Sequence, residues 1–182
     1  MYHSLLLDVK FFKFLRDIDL DLASDVRRGA CPRCEGALHC ARYPRKPRGG
    51  PGDLGADYDR RESFCCADCR RRRTPPSVRF LGRKVYFAVV VMLATAMQHG
   101  VTARRLSELH ALLGIGRRTL LRWRAWWQTI FAASPAWRAQ RGMLGGPVNG
   151  VTLPLSLLER FRVDDLSGKV AAALRFLAPL VT

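Results

Sequence analysis

Two C-x-x-C pairs, Cys31/Cys34 and Cys66/Cys69, constrain this chain more than any other feature. The turn within such a pair directs both sulfurs to one point, and two pairs supply the four thiolates of a tetrahedral zinc site. A metal bound in this way stabilises a unit whose hydrophobic core is too small to hold it together. The spacing therefore predicts a structural zinc ion within a small β ribbon. A catalytic zinc is not expected, because four thiolates leave no open position for water.

The segment between Cys34 and Cys66 is longer than the roughly 15–20 residues usual for such sites. Its middle part, residues 44–59, is rich in proline and glycine, which is the composition of a loop. Residues 38–43 and 62–65 flank this loop and can form the strands of the ribbon. Gly36, close behind the first pair, suits a tight turn. We therefore expect a zinc ribbon that carries an inserted loop.

The identity of the four ligands is not fully determined by the spacing. Cys65 and Cys66 compete for one position, and the two-residue gap to Cys69 favours Cys66. Cys40 and His39 lie near the first pair and could substitute for a ligand. Disulfide bonds are the alternative, but no secretory signal peptide is recognisable, so a reducing cytoplasm is expected and disulfides are disfavoured.

The charge of the chain indicates a polyanionic partner. It carries 31 lysine and arginine residues against 15 acidic ones, a formal charge of +16, and nucleic acid is the commonest partner of such a surface. Apolar residues make up 48% of the sequence, which is typical of a folded chain.

The basic residues cluster in the proline-rich loop and in an arginine run directly after Cys69. We expect them to contact phosphates, with the loop backbone free to follow a phosphate track; a solvated charged surface is the alternative. The residues are Arg45, Lys46, Arg48, Arg70, Arg71, Arg72 and Arg73.

Several segments outside the ribbon read as helical. Residues 2–28 predict one or two helices that end near Arg28. The apolar run at 85–97 predicts a buried helix that ends at Gly100, although the valines in its centre would also suit a β-strand. The run is shorter than the roughly 20 residues that a membrane span needs. Residues 153–161 and 170–180 predict two further short helices.

A second motif lies at residues 102–131. Thr102 can cap a helix that runs to Leu113, a short turn with the apolar Ile115 at its centre follows, and a second helix begins near Arg117. This order predicts a helix-turn-helix, whose second helix enters the major groove of DNA; an ordinary helical hairpin is the alternative. The expected core stripe of the second helix is Leu120, Trp123, Trp127 and Ile130, and its expected DNA-binding residues are Arg117, Arg118 and Arg122.

The order of these motifs resembles the zinc-ribbon and helix-turn-helix front end of bacterial insertion-sequence transposases. The matching features are C-P-R-C, a later C-A-D-C followed by arginines, an apolar helix, and the phrase G-I-G-R-R-T-L-L-R-W at 114–123. In that family the front end recognises the terminal inverted repeats of the element. The resemblance covers about residues 30–131 and implies zinc at the four cysteines and DNA contacts by the arginines of the second helix. The chain departs from the family's pattern after residue 131, where the widely spaced carboxylates of the catalytic domain are lacking, so we do not expect strand cleavage.

The motifs and the resemblance together predict a non-enzymatic, sequence-specific protein that binds double-stranded DNA as an accessory or regulator of a mobile element. The expected partners are a second copy of the chain or a transposase or recombinase, and the expected location is the nucleoid in the cytoplasm, without a membrane. Two alternatives remain: a zinc-ribbon RNA-binding protein, and an adaptor that recruits a catalytic partner through its terminal helices.

The expected fold is α+β and mostly α, with a small β zinc ribbon followed by a helical domain. The predicted divisions are an N-terminal helical segment (1–29), the zinc ribbon with its basic insertion (30–80), the helix-turn-helix domain (81–133), and a connector with short C-terminal helices (134–182).

Overall fold

The computed structural model describes residues 2–96 and 101–181, and it is α+β with helices predominating. The α-helices are α1 (Tyr2–Leu6), α2 (Val9–Arg28), α3 (Ala88–Thr95), α4 (Ala103–Leu113), α5 (Arg117–Trp126), α6 (Pro135–Gln140), α7 (Leu155–Leu158) and α8 (Leu166–Leu177). The strands are β1 (Leu38–Cys40), β2 (Tyr43–Pro44), β3 (Arg60–Arg61), β4 (Phe64–Cys66) and β5 (Arg72–Arg73). The mostly helical α+β class predicted from the sequence is confirmed.

The strands form two small antiparallel sheets. One has the order β1-β4-β5, and the other pairs β2 with β3. In the first sheet Leu38 lies opposite Cys66 and His39 opposite Cys65. β4 also pairs with β5, so that Cys65 faces Arg72 on its other side. The last two residues of the arginine run are therefore part of the sheet rather than a fully solvated segment.

The N-terminal segment forms two helices, as predicted. Asp8 caps α2, since its carboxylate accepts hydrogen bonds from the backbone N–H groups of Lys10 and Phe11. The helix ends at Arg28, and the N–H of Gly29 bonds to the carbonyl of Asp25. α2 buries one face in the protein and positions its C-terminal end beside the cysteines.

The apolar run after residue 85 forms the central helix α3. All eight of its residues, Ala88–Thr95, are buried, and Val89–Val91 are helical, so the strand alternative is wrong. The helix begins later than predicted, because Arg48 and Tyr86 form an isolated β-bridge just before it. The predicted stop, Gly100, lies outside the described residues.

The predicted pair of helices at 102–126 is present. The Thr102 hydroxyl accepts a hydrogen bond from the N–H of Arg105 at the start of α4. Gly114 ends that helix in a left-handed conformation (φ 65°), which glycine adopts without strain. Ile115 is fully buried in the turn, and Gly116 leads directly into α5.

The core stripe predicted for the second helix is wrong at one position. Leu120, Trp123 and Trp127 are buried, but Ile130 is 66% exposed and Phe131 is buried instead. The cause is a π-helical stretch at Trp127–Phe131, which widens the turn and rotates residue 130 away from the core. The chain stays helical there, but the regular spacing on which the prediction rested ends at Trp127.

Buried residues form two clusters. The larger one includes residues of α1–α8, and α3 lies at its centre. The smaller one surrounds the cysteines and contains Ala23, Cys31, Leu38, Phe64 and Cys66. α2 contributes to both clusters, so it joins the sheet to the helices. Among the described residues, no helix has the length and apolarity needed to cross a membrane.

Candidate metal centre and basic surface

The four cysteines of the two C-x-x-C pairs meet at one point. The sulfurs of Cys31 and Cys69 are 3.6 Å apart, those of Cys34 and Cys66 are 3.4 Å apart, and all four lie within 4.8 Å of one another. A tetrahedral ion with metal–sulfur bonds of about 2.3 Å places its sulfurs about 3.8 Å apart. The cluster therefore fits a four-thiolate metal site, as the spacing predicts.

Each cysteine pair is fixed by a short turn at the end of the three-stranded sheet. In the first turn, the N–H of Glu35 donates to the carbonyl of Cys31 at 2.8 Å, and the N–H of Cys31 donates to the carbonyl of Gly36 at 3.0 Å. In the second turn, the N–H of Cys66 donates to the carbonyl of Arg71 at 2.9 Å. The N–H of Ala67 bonds to the carbonyl of Ala37 and ties the two turns together.

Gly36 is needed because the two turns pack closely. A Cβ at this position would lie 2.1 Å from Oδ2 of Asp68 and 3.0 Å from Sγ of Cys66. A side chain at this position would displace the Asp68 carboxylate and press against the Cys66 sulfur. The glycine that the sequence places after the first pair therefore leaves room for the side chains of the second turn.

The register of β4 decides between the two adjacent cysteines. Side chains alternate between the faces of a strand, so Cys66 points to the buried side with Phe64, and Cys65 points to the other side. The Cys65 sulfur contacts the carbonyl of Arg70 at 3.5 Å and is not part of the cluster. The preference for Cys66 is confirmed, and Cys40 and His39 lie on exposed positions of β1 outside the cluster.

The protonation of the clustered thiols is uneven. Backbone N–H groups of Arg33 and Cys34 lower the pKa of Cys31 to about 6. The N–H of Gly36 lowers the pKa of Cys34, but the neighbouring thiols of Cys66 and Cys69 outweigh it and raise that pKa to about 12. Four thiolates at such short distances repel one another, so a bound cation is required for all of them to ionise together.

The arginine run after Cys69 is partly used within the fold. Arg70, Arg71 and Arg72 are exposed, and the guanidinium of Arg72 lies 5.6 Å from the ring centroid of Tyr43. Arg73 is half-buried and donates to the carbonyl of Ala30 at 2.9 Å. The first three are available at the surface beside the cysteines, whereas Arg73 holds the end of α2 against β5.

The basic loop is more firmly attached than expected. The half-buried Arg45 donates to the carbonyls of Gly82 and Lys84 at 2.5 and 3.2 Å. The backbone of Arg48 exchanges hydrogen bonds with Val85 and Phe87 at 2.9 and 3.1 Å. The expectation that this backbone is free to follow a phosphate track is therefore wrong, because bonds to the segment before α3 hold it in place. The side chains of Lys46 and Arg48 are exposed.

The three arginines predicted to bind DNA lie on the outer face of α5. Arg117, Arg118 and Arg122 are exposed, while Leu120 and Trp123 on the opposite face are buried. Within residues 2–96 and 101–181, the ion pairs of the structure involve other arginines. These three charges are therefore not neutralised by a carboxylate of the described chain.

One basic residue beside α5 was missed. Lys84 lies in the turn before α3, and its Nζ atom is 3.2 Å from the ring centroid of Trp126 in α5. In the sequence it precedes an apolar run and looks like a helix-flanking charge. The only sequence signal for Lys84 is that it forms a basic pair with Arg83. Nothing in the neighbouring sequence indicates that Lys84 contacts α5.

No known protein family matches this chain, and no characterised protein or solved structure is significantly similar to it.

Proposed function

We propose that this chain is a zinc-stabilised protein that binds double-stranded DNA in a sequence-specific manner. The observation that carries the proposal is the arrangement of α5, which buries Leu120 and Trp123 and presents Arg117, Arg118 and Arg122 to solvent without carboxylate partners among the described residues. In this role α4, the turn at 114–116 and α5 act as a helix-turn-helix, and α5 enters the major groove. Arginine at such a position can bind guanine through two hydrogen bonds.

Zinc is the metal that we propose for the four-cysteine site. Thiolates are soft ligands, and an all-cysteine tetrahedral set is typical of structural zinc. The smaller buried cluster around the cysteines contains few apolar residues, so the ion would supply much of the stability of the sheet. The sheet then acts as a zinc ribbon whose exposed arginines, Arg70–Arg72, contact the phosphate backbone.

Duplex DNA is favoured over RNA by the shape of the basic element. A helix such as α5 fits the wide major groove of B-form DNA, whereas the major groove of double-stranded RNA is deep and too narrow for side-chain readout. The basic loop, which would be the other means of following an RNA strand, is attached to the segment before α3. RNA binding is therefore the alternative, and comparing the affinities of the protein for duplex DNA and for RNA tests it.

We further propose that the chain is related to the DNA-binding front end of insertion-sequence transposases and acts as an accessory or regulator of a mobile element. The support is the order of the parts: a four-cysteine sheet, an arginine run, a buried helix, and the α4–α5 pair with exposed arginines. We assign the chain a binding role and no strand-cleaving step. A transposase, a recombinase or a second copy of the chain would be its protein partner.

The test replaces Arg118, which is exposed near the start of α5. Binding of the zinc-loaded protein to a preferred duplex, a scrambled duplex and an RNA of the same sequence is measured by fluorescence anisotropy at about 0.15 M salt. We expect Arg118→Ala to lower the preference for the cognate duplex by roughly tenfold, since one bidentate base contact is worth about 1–3 kcal/mol. Arg175→Ala, which removes an exposed charge from α8, is the matched control and should leave the preference unchanged.

Equal weakening of both duplexes by Arg118→Ala would mean that Arg118 contacts phosphates, and α5 would not be the reading element. Tighter binding of the wild-type protein to RNA than to either duplex would contradict the proposal as a whole.

A further inference from the structure

A surface cavity lies between the turn that precedes α3 and the flank of α5 between its exposed and buried faces. Its volume is about 350 Å³, and it is lined by Arg83, Lys84, Val85, Tyr86, Arg122, Trp123 and Trp126. Tyr86 fixes the two walls relative to each other: its ring packs edge-on against Trp123 at 4.9 Å, and its hydroxyl donates to the carbonyl of Gly114. The cavity is thus built by residues whose positions are set by the fold.

Among the residues that the structure describes, the lining is basic and contains no carboxylate. Three cations, Arg83, Lys84 and Arg122, converge on it from two different elements. None of the three takes part in an ion pair with an acidic group in the part of the chain that the structure describes. A site of this composition lacks the counter-charge that neighbouring cations ordinarily have.

Holding these charges together is unfavourable in the absence of an anion. Lys84 is half-buried, and burial together with repulsion from Arg122 lowers the pKa of Lys84 to about 8. The Trp126 ring, 3.2 Å from Nζ, offsets only part of this penalty, because a cation–π interaction is modest in strength. Arrangements that destabilise their own charges are typical of binding sites, where the ligand supplies the missing charge.

We propose that this cavity binds a phosphate group, with Lys84 and Arg122 as its charged ligands and the Trp126 ring as its wall. The proposal deepens the proposed function and rests on it for the source of the phosphate. If α5 lies in the major groove, then Arg118 contacts a base and Arg122, one helical turn further, turns to a phosphodiester of the DNA backbone. A free mononucleotide or inorganic phosphate is the other source of the same chemical group.

The first test measures the salt dependence of duplex binding for three variants. The logarithm of the binding constant falls as the logarithm of the salt concentration rises, and removing one phosphate interaction makes this slope less steep by about 0.9. We expect Lys84→Met to make the slope less steep by about this amount. Lys84→Arg should keep the wild-type slope, and Lys169→Met on α8 should have no effect on it. An unchanged slope in Lys84→Met would overturn the DNA-backbone role.

The second test does not depend on sequence recognition. Acetylation of the lysines at pH 8 is followed by mass spectrometry with inorganic phosphate, a mononucleotide or duplex DNA present. A bound phosphate should protect Lys84 several-fold, because it covers the amine and favours its charged form, while Lys169 stays reactive.

Protection of Lys84 by all three compounds supports a phosphate site that is occupied by the DNA backbone when the protein binds DNA. Protection by phosphate or the mononucleotide but not by bound duplex supports a free-phosphate site and overturns its part in DNA binding. Protection by none of them overturns the site. If the wild-type protein prefers no DNA sequence but phosphate still protects Lys84, the proposed function fails and the phosphate site stands.

Discussion

Adjacent cysteines on β4 lie in opposite environments because side chains alternate along a strand. Cys66 is fully buried in the thiol cluster, whereas Cys65 lies on the other face, opposite His39 and Arg72. Sequence spacing favours Cys66, but only the pairing of β4 with β1 shows why the choice is unambiguous. Membership of the four-cysteine cluster is therefore set by strand register as much as by cysteine content.

The two cysteines allow a matched test of the metal site. We expect Cys66→Ser to lose bound zinc, because a hydroxyl replaces one of four thiolates, and Cys65→Ser to retain one zinc ion per chain. Metal content after gel filtration, measured by atomic emission, distinguishes them. Full zinc content in Cys66→Ser, or loss of zinc in Cys65→Ser, would contradict the assignment of the ligands.

Among the helices, α2 depends on a buried ion pair for its position. The Asp19 carboxylate accepts hydrogen bonds from the Ser77 hydroxyl at 2.6 Å, the Val78 N–H at 2.7 Å and Nε of Arg79 at 2.8 Å. Both charged side chains are almost completely buried. The carboxylate thus fastens α2 to the segment that connects the sheet with α3.

Removing one partner of this pair leaves the other buried without a counter-charge. We expect Asp19→Ala to lower the free energy of unfolding by about 3–5 kcal/mol. Asp21→Ala, at an exposed position of the same helix, should change it by less than about 0.5 kcal/mol. Urea denaturation of the zinc-loaded protein measures both values, and equal effects of the two substitutions would show that the pair does not hold α2 in place.

The elements that sequence reasoning predicts well are those with local signals. Thr102 and Gly114 mark the ends of α4 directly, and the four cysteines mark their own meeting point. Ile130 was wrongly predicted to be buried because the spacing of apolar residues does not indicate a π-helical turn. β5 was missed because its two arginines were interpreted as phosphate contacts, with solvated charge as the alternative, and nothing local indicates their pairing with β4. The Lys84–Trp126 interaction likewise depends on residues distant in sequence.

Across the whole molecule, the basic groups divide between two structural units with different means of stabilisation. The sheet has a small apolar cluster and a candidate metal site, while α5 packs on the large helical core. Exposed arginines lie on both, at Arg70–Arg72 and at Arg117, Arg118 and Arg122. A formal charge of +16 attracts any polyanion at low salt, so the affinity for DNA alone would not test whether a base sequence is recognised.

Selection of bound molecules from random duplex DNA tests the proposal that this protein recognises a DNA sequence. The zinc-loaded protein is used at about 0.15 M salt, where non-specific phosphate binding is weakened. We expect one motif to be enriched over successive rounds and Arg118→Ala to lower the enrichment. Binding without enrichment of any motif would contradict the proposal and leave a charge-driven nucleic-acid anchor in its place.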